Sequence, residues 1–224
     1  MTDDVFLEPI LPVEVVSSWY LRGDVGYRAY TGPDASYQPA LGGTLGYYDQ
    51  DLDDAWLVGF GLGYKFNEWF RTDVTVDYAA PSDFGGRIAC IACPGLPYTL
   101  ESGRISAWTV MANAYIDLGN WAGLTPYVGG GIGAANLRLS DYTGYNPPFL
   151  AATGRFGADA DAWNFAWSAT AGASYDLTSN LLLDVNYRYL AMGDVSTVDQ
   201  IGGRIAIDDV NSHEFRVGLR YLIY

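Results

Sequence analysis

The sequence predicts an all-β chain, an eight-stranded antiparallel up-and-down transmembrane β-barrel with short turns at one end and four long loops at the other. Three observations predict it. Eight segments alternate apolar and polar residues, the period at which a strand shows successive side chains to opposite faces. The apolar positions of those segments hold no Asp, Glu, Lys or Arg, whereas the polar positions hold both signs in equal number. No run of about 18 apolar residues exists, so no helix of this chain is expected to cross a membrane.

The first segment, 19–30, sets Trp19, Leu21, Val25 and Tyr27 against Tyr20, Arg22, Asp24 and Arg28. The second, 56–66, has Trp56, Val58, Phe60, Leu62, Tyr64 and Phe66 on one face and mostly Gly with Lys65 on the other. Asn67-Glu68-Trp69 turns the chain into the third, where Phe70, Val74, Val76 and Tyr78 oppose Arg71, Asp73, Thr75 and Asp77. In the fourth, Trp108, Val110, Ala112, Ala114, Ile116 and Leu118 oppose Thr109, Asn113 and Asp117. A second short turn, 119–124, leads to a Gly-rich fifth segment with Val128, Ile132 and Ala134 on its apolar side. The sixth carries Trp163, Phe165, Trp167, Ala169, Ala171 and Tyr175 opposite Asn164, Ser168, Thr170 and Asp176. Thr178-Ser179-Asn180 precedes the seventh, with Leu181, Leu183, Val185, Tyr187 and Tyr189 against Asp184, Asn186 and Arg188. The eighth closes the chain, Phe215, Val217, Leu219 and Tyr221 alternating with Glu214, Arg216 and Arg220.

Which face meets lipid follows from charge. The polar faces hold Arg22, Arg28, Lys65, Arg71, Arg188, Arg216 and Arg220, balanced by Asp24, Asp73, Asp77, Asp117, Asp176, Asp184 and Glu214. A charge facing lipid near the midplane costs about 2–4 kcal/mol, which accounts for the bare apolar faces. A balanced set can pair inside a narrow lumen, where an unpaired charge is costly. A soluble sheet with one solvated face need not balance, and the connecting segments do not. Of 12 basic and 26 acidic residues, five basic and nineteen acidic lie outside these faces. Eight strands enclose an interior just wide enough to be filled by side chains. Inward Gly59, Gly61, Gly63, Gly129, Gly131 and Gly133 leave room for neighbours as large as Arg216 or Arg220. A filled, non-conducting lumen is the expectation, with a small channel as the alternative.

The formal charge of −14 argues against a nucleic-acid partner, which needs a basic footprint. The connections after segments two, four and six are short. Those after one, three, five and seven run about 20–25 residues, the pattern of bacterial outer-membrane barrels. They are expected to be structureless surface loops. Aromatic residues near the short turns, among them Trp19, Tyr64, Phe66, Trp69, Phe70, Trp121, Tyr175 and Tyr221, suit a periplasmic girdle. Trp56, Tyr78, Trp108, Trp163 and Tyr189 suit the outer one.

Three stretches, 19–27, 125–133 and 215–221, resemble segments of the small outer-membrane β-barrel family, the opacity proteins and the membrane domain of outer-membrane protein A. The resemblance spans about Trp19 to the C-terminus and implies an outer-membrane location, long loops outside and periplasmic termini. It implies roles in envelope integrity or surface interaction, no catalytic residues and no cofactor. Lipid, lipopolysaccharide and the barrel-assembly machinery are the implied partners. One departure concerns the end: Tyr221 is in register with Ile223, and Tyr224 lies one place beyond.

Residues 1–18, with Pro9, Pro12 and four acidic groups, are expected to form an extended periplasmic tail that could dock on a second copy or a partner. Residues 19–224 form the barrel. No basic start followed by an apolar stretch is visible, so Met1-Thr2-Asp3-Asp4 reads as an initiator Met on a mature sequence.

Local motifs add sharper candidates. Cys90 and Cys93, in the second long loop, are expected to form a disulfide in an oxidising compartment. Zinc would need two further ligands, and no thioredoxin-like context supports a redox pair. Asp49, Asp51, Asp53 and Asp54 are a weak Ca²⁺ candidate beside the simpler reading of a solvated acidic loop end. Such acidic loops also suit divalent ions bridging lipopolysaccharide phosphates. Ser212 and His213 are adjacent on one strand, point to opposite faces and therefore make a poor nucleophile–base pair.

Overall fold

A computed structural model describes residues 18–32, 34–89, 98–145, 155–200 and 202–223. Among the described residues there is no helix, and thirteen strands are present. Eight are the long walls: β1 (Ser18–Tyr30), β4 (Ala55–Lys65), β5 (Phe70–Ala89), β6 (Tyr98–Asp117), β7 (Leu124–Tyr145), β9 (Ala160–Asp176), β10 (Leu181–Ala191) and β13 (Asn211–Ile223). Five are shorter: β2 (Asp34–Gln38), β3 (Leu45–Leu52), β8 (Arg155–Phe156), β11 (Val195–Val198) and β12 (Arg204–Asp208).

The eight long strands pair antiparallel with their neighbours and close on themselves, β6 bonding both β5 and β7, and β13 both β10 and β1. The closing seam runs from Trp19↔Ile223 to Tyr30↔Ser212, so the last strand returns to the first. Closure leaves no open edge in the membrane, where each unpaired backbone group would cost several kcal/mol. The short turns are set by local side-chain caps. Asn67 Oδ1 accepts from the amides of Trp69 (3.0 Å) and Phe70 (2.8 Å). Asn120 Oδ1 accepts from Gly123 N (2.9 Å), and Thr178 Oγ1 from Leu181 N (3.0 Å).

The long connections are not structureless. β5, β6 and β7 run well past the lipid-facing belt, to Ala89, from Tyr98 and to Tyr145. The remaining connections fold into β2, β3, β11 and β12, joined in the order β11-β12-β2-β3-β5. β8 pairs with β7, and a bridge between Gly157 and Asp199 ties this end to β11. A second ring therefore stands on the first, sharing β5, β6 and β7. We call it the cap.

The cap was hidden because its alternation has the opposite sign. Below it, apolar side chains point out. Within it they point in: Tyr37, Leu52, Phe84, Ile88, Ile105, Leu137, Leu139, Val195, Ile205 and Ile207 form one buried cluster. Register slips between Tyr48 and Asp51, Ala79 and Ser82, and Ser102 and Arg104 further break the pattern. The β2–β3 hairpin ends in a tip at which Leu41 is fully exposed and Gly42 and Gly43 take φ of 96° and 94°. A Cβ at either glycine would meet nothing within 4 Å, so backbone conformation alone demands glycine there.

Candidate functional site

The inner wall of the lower ring is built by alternation alone. Each strand turns every second side chain inward, and those positions hold six arginines and six carboxylates, all buried. Asp77 on β5 accepts from Arg216 Nη2 (2.5 Å) and Arg188 Nη2 (2.8 Å). Glu214 on β13 pairs with Arg28 (2.7 Å) and Arg188 Nε (2.7 Å). Arg22 reaches Asp24 at 2.8 Å and Asp73 at 3.2 Å. Asp73 also accepts from Asn113 (2.8 Å) and Tyr20 (3.1 Å). Arg71 pairs with Asp117 (3.0 Å) and lies against the rings of both Tyr115 and Tyr127, 4.0 and 4.4 Å from their centroids. Arg220 meets Asp184, which also takes the Tyr127 hydroxyl at 2.5 Å. Every charge thus has an opposite charge in contact, the condition for keeping it out of water.

Twelve of the fourteen charged residues expected on this wall come together in that way. Lys65 and Asp176 do not. Both sit at strand ends and line a polar mouth of about 670 Å³ at the short-turn end, with Glu68 and Asn120 beside them. Asp176 is exposed and accepts from Asn120 Nδ2 at 2.9 Å. Parity gives a face, not a depth. The inward glycines are filled rather than vacant. A Cβ at Gly59 would strike Asp77 and Arg216, and one at Gly63 would strike Tyr20.

The acidic run does not converge. Asp49 pairs with Arg87 (2.9 Å) and Asp54 accepts from Tyr27 (2.6 Å), on different walls. Among the described residues no three His, Cys, Asp or Glu side chains gather to hold a metal. Cys90, Cys93, residues 1–17 and Tyr224 lie outside the described residues. Ser212 is buried inside while His213 faces outward and bonds the Tyr187 hydroxyl (2.6 Å), so the two point apart.

Two aromatic collars bound the lipid-facing belt. Near the short turns, Trp19, Tyr64, Phe66, Phe70 and Trp69 form a chain of ring contacts from 4.9 to 6.0 Å. At the other end Tyr27 meets Trp56, Tyr78 meets Trp108 and Trp167 meets Tyr189, at 5.5, 4.7 and 5.4 Å. Between them Phe60, Val74, Ile132 and Phe215 stand exposed with no charge among them.

The cap holds buried carboxylates outside the polar faces of the eight segments. Glu101 accepts from Thr99 Oγ1 (2.5 Å) and Tyr142 OH (2.6 Å), and Tyr47 OH lies 2.6 Å from Tyr142 OH. Burial, the Tyr47 hydroxyl and the Glu101 carboxylate push the Tyr142 hydroxyl up, so it stays protonated and donates. Asp199 accepts from Tyr37 OH (2.8 Å) and from the Gly203 amide (2.7 Å). The signal was the run Thr99, Glu101, Gly103, Ile105, Ala107, all on one face.

Comparison with known proteins agrees with this architecture. Residues 14–221 match the outer membrane protein beta-barrel domain model. A protein of Brucella suis is 34% identical, covering 98% of this chain and 90% of its own length. The outer membrane protein PagN of Salmonella typhimurium is 28% identical over 73% of this chain and 71% of its own. A candidate adhesin of Rickettsia bellii is 24% identical over 91% and 82%. Among solved structures, the outer membrane protein OprG of Pseudomonas aeruginosa superposes with a TM-score of 0.60 at 14% identity, covering 92% of this chain and 97% of OprG. With its eight-strand ring, paired inner wall, bare outer belt and aromatic collars, the chain belongs to the outer-membrane β-barrel family and is located in the bacterial outer membrane.

Proposed function

We propose that this protein is a non-enzymatic outer-membrane barrel that does not conduct and works at the cell surface, in surface interaction and envelope integrity. One observation carries the reading: above the polar mouth at the short-turn end, the axis is crossed by buried side chains. The lower ring is crossed by the arginine–carboxylate network, and the cap above is filled by its apolar cluster. Side chains of this size close an eight-stranded interior. What remains accessible is the cap's outer wall, and the candidate adhesin among the relatives supports a role there. Lipopolysaccharide then contacts the outer collar, and the barrel-assembly machinery inserts the chain. The tail, 1–18, is the proposed contact for a second copy or a periplasmic partner.

Planar-bilayer recording tests the closed lumen: the expected trace is flat, and reproducible openings above leak would make the protein a channel. The surface role is tested on bacteria displaying the full chain or a variant shortened in the β2–β3 hairpin. Attachment to immobilised matrix is expected to drop with the shortened cap. Equal attachment, or none by either strain, would overturn it.

A further inference from the structure

The outer wall of the cap carries a groove of about 340 Å³ lined by Asp49, Asp51, Arg87, Glu101, Ser102 and Tyr145, drawn from four adjacent strands. This size is at the lower end for small-molecule sites and suits about one or two sugar rings. Its floor is open, since a Cβ at Gly85 would meet nothing within 4 Å. Arg87 is held in place from two sides. Its Nη1 donates to Asp49 Oδ2 at 2.9 Å, and its guanidinium lies 5.2 Å from the centroid of Tyr98. A guanidinium has five N–H donors, so one bond to Asp49 leaves others for a ligand. Glu101 backs the groove from within: it is only 3% exposed, on the inward face of β6, and its carboxylate is held by Thr99 and Tyr142.

The chemistry narrows the ligand. Asp49 and Asp51 on one side of the groove accept hydrogen bonds from hydroxyls, Arg87 and Ser102 donate to ring and hydroxyl oxygens, and Tyr145 offers an aromatic face for the apolar side of a pyranose. Two surface carboxylates against one arginine, on a chain of charge −14, repel sulfated or phosphorylated glycans. We propose that this groove binds a neutral saccharide unit. The proposal rests on the surface-interaction reading and names its ligand chemistry.

Saturation-transfer NMR on the full chain in nanodiscs tests it, with lactose, N-acetyllactosamine and a heparin disaccharide as probes. Transfer to a neutral probe and none to the heparin disaccharide is expected. Tyr145→Ala and Asp51→Asn should each weaken the neutral probe about tenfold, the loss of one ring contact or one charge-assisted hydrogen bond. Arg138→Gln, outside the groove, should leave it unchanged. Retained heat-modifiable gel mobility would show that each variant still folds. No transfer from either neutral probe at about 10 mM, stronger transfer to the heparin disaccharide, or transfer indifferent to both groove variants would overturn the proposal. If matrix attachment persists while neutral-sugar transfer fails, the groove assignment falls and the surface role stands.

Discussion

Strand β6 carries two opposite solvents along one backbone. Near its short-turn end Trp108 and Val110 face out while Thr109 and Asn113 face in. A few residues away Arg104 and Ser102 face out while Ile105 and Ala107 face in. The same pleat runs through both halves, and the register slips are confined to the cap half; what reverses the faces is the medium outside. Lipid selects apolar side chains for the outer face and leaves the inside to satisfy its own charges. Water selects polar side chains outside and drives the apolar ones together within. The lower ring is therefore held by paired charges and the cap by a conventional apolar core.

Breaking each half in its own way tests this contrast. Asp77→Ala removes the shared acceptor of Arg188 and Arg216 and should cost about 3–5 kcal/mol, as for other uncompensated buried charges. The temperature of the heat-modifiable gel shift should fall. Asp159→Ala, which cuts the exposed pair to Arg138, should cost less than about 1 kcal/mol. In the cap, Leu139→Ala opens a cavity in the buried cluster and should cost about 2–5 kcal/mol of local stability. Hydrogen exchange should speed up in β2 and β12 while the lower ring keeps its protection. A uniform loss would mean that the two halves form one cooperative unit.

Adding a charge outside separates the halves more gently. Val76→Arg, in the lipid-facing belt, should cost about 2–4 kcal/mol. Ser102→Arg, exposed on the cap, should stay within about 0.5 kcal/mol. Comparable losses at both sites, read by equilibrium unfolding into urea, would erase the distinction.

The smallest effect concerns pH. Asp208 lies opposite Asp34 in the β12–β2 pair, and burial, then the Asp194 carboxylate and weaker neighbours Asp209 and Asp34, push its carboxyl up against the opposing pull of Arg204. A raised value in the folded state means that the charged form is the disfavoured one. The cap is relieved of this strain below the usual Asp range near about 4 and loses that stability as pH rises through the raised value. Exchange at the Ala206 and Ile207 amides, corrected for intrinsic rate, should be slower near about pH 4 than near about pH 7. Asp208→Asn should flatten the difference.

The lower ring was legible because lipid allows no exceptions: one charge on the apolar face of any of the eight segments would have spoiled the pattern, and none of those faces carries one. Closure of β13 on β1 followed from the same alternation. The cap was illegible for three physical reasons. Its alternation is reversed, its strands slip register at bulges, and its sheet joins β2 to β12 across most of the chain. Lys65 and Asp176 misled because alternation says nothing about where a strand ends. Asp49 to Asp54 stay apart because neighbours in sequence diverge when the strand carrying them bulges, and Asp49 itself takes φ of 50°.

The Leu41-Gly42-Gly43 tip has a practical consequence. It stands at the end of a hairpin braced against the cap core, and its glycines meet nothing. Lengthening such a tip is cheap, about 0.6 kcal/mol for each doubling of loop length. A foreign epitope spliced between Gly42 and Gly43 would be carried at an exposed tip of the cap, making this barrel a scaffold for antigen display on living bacteria.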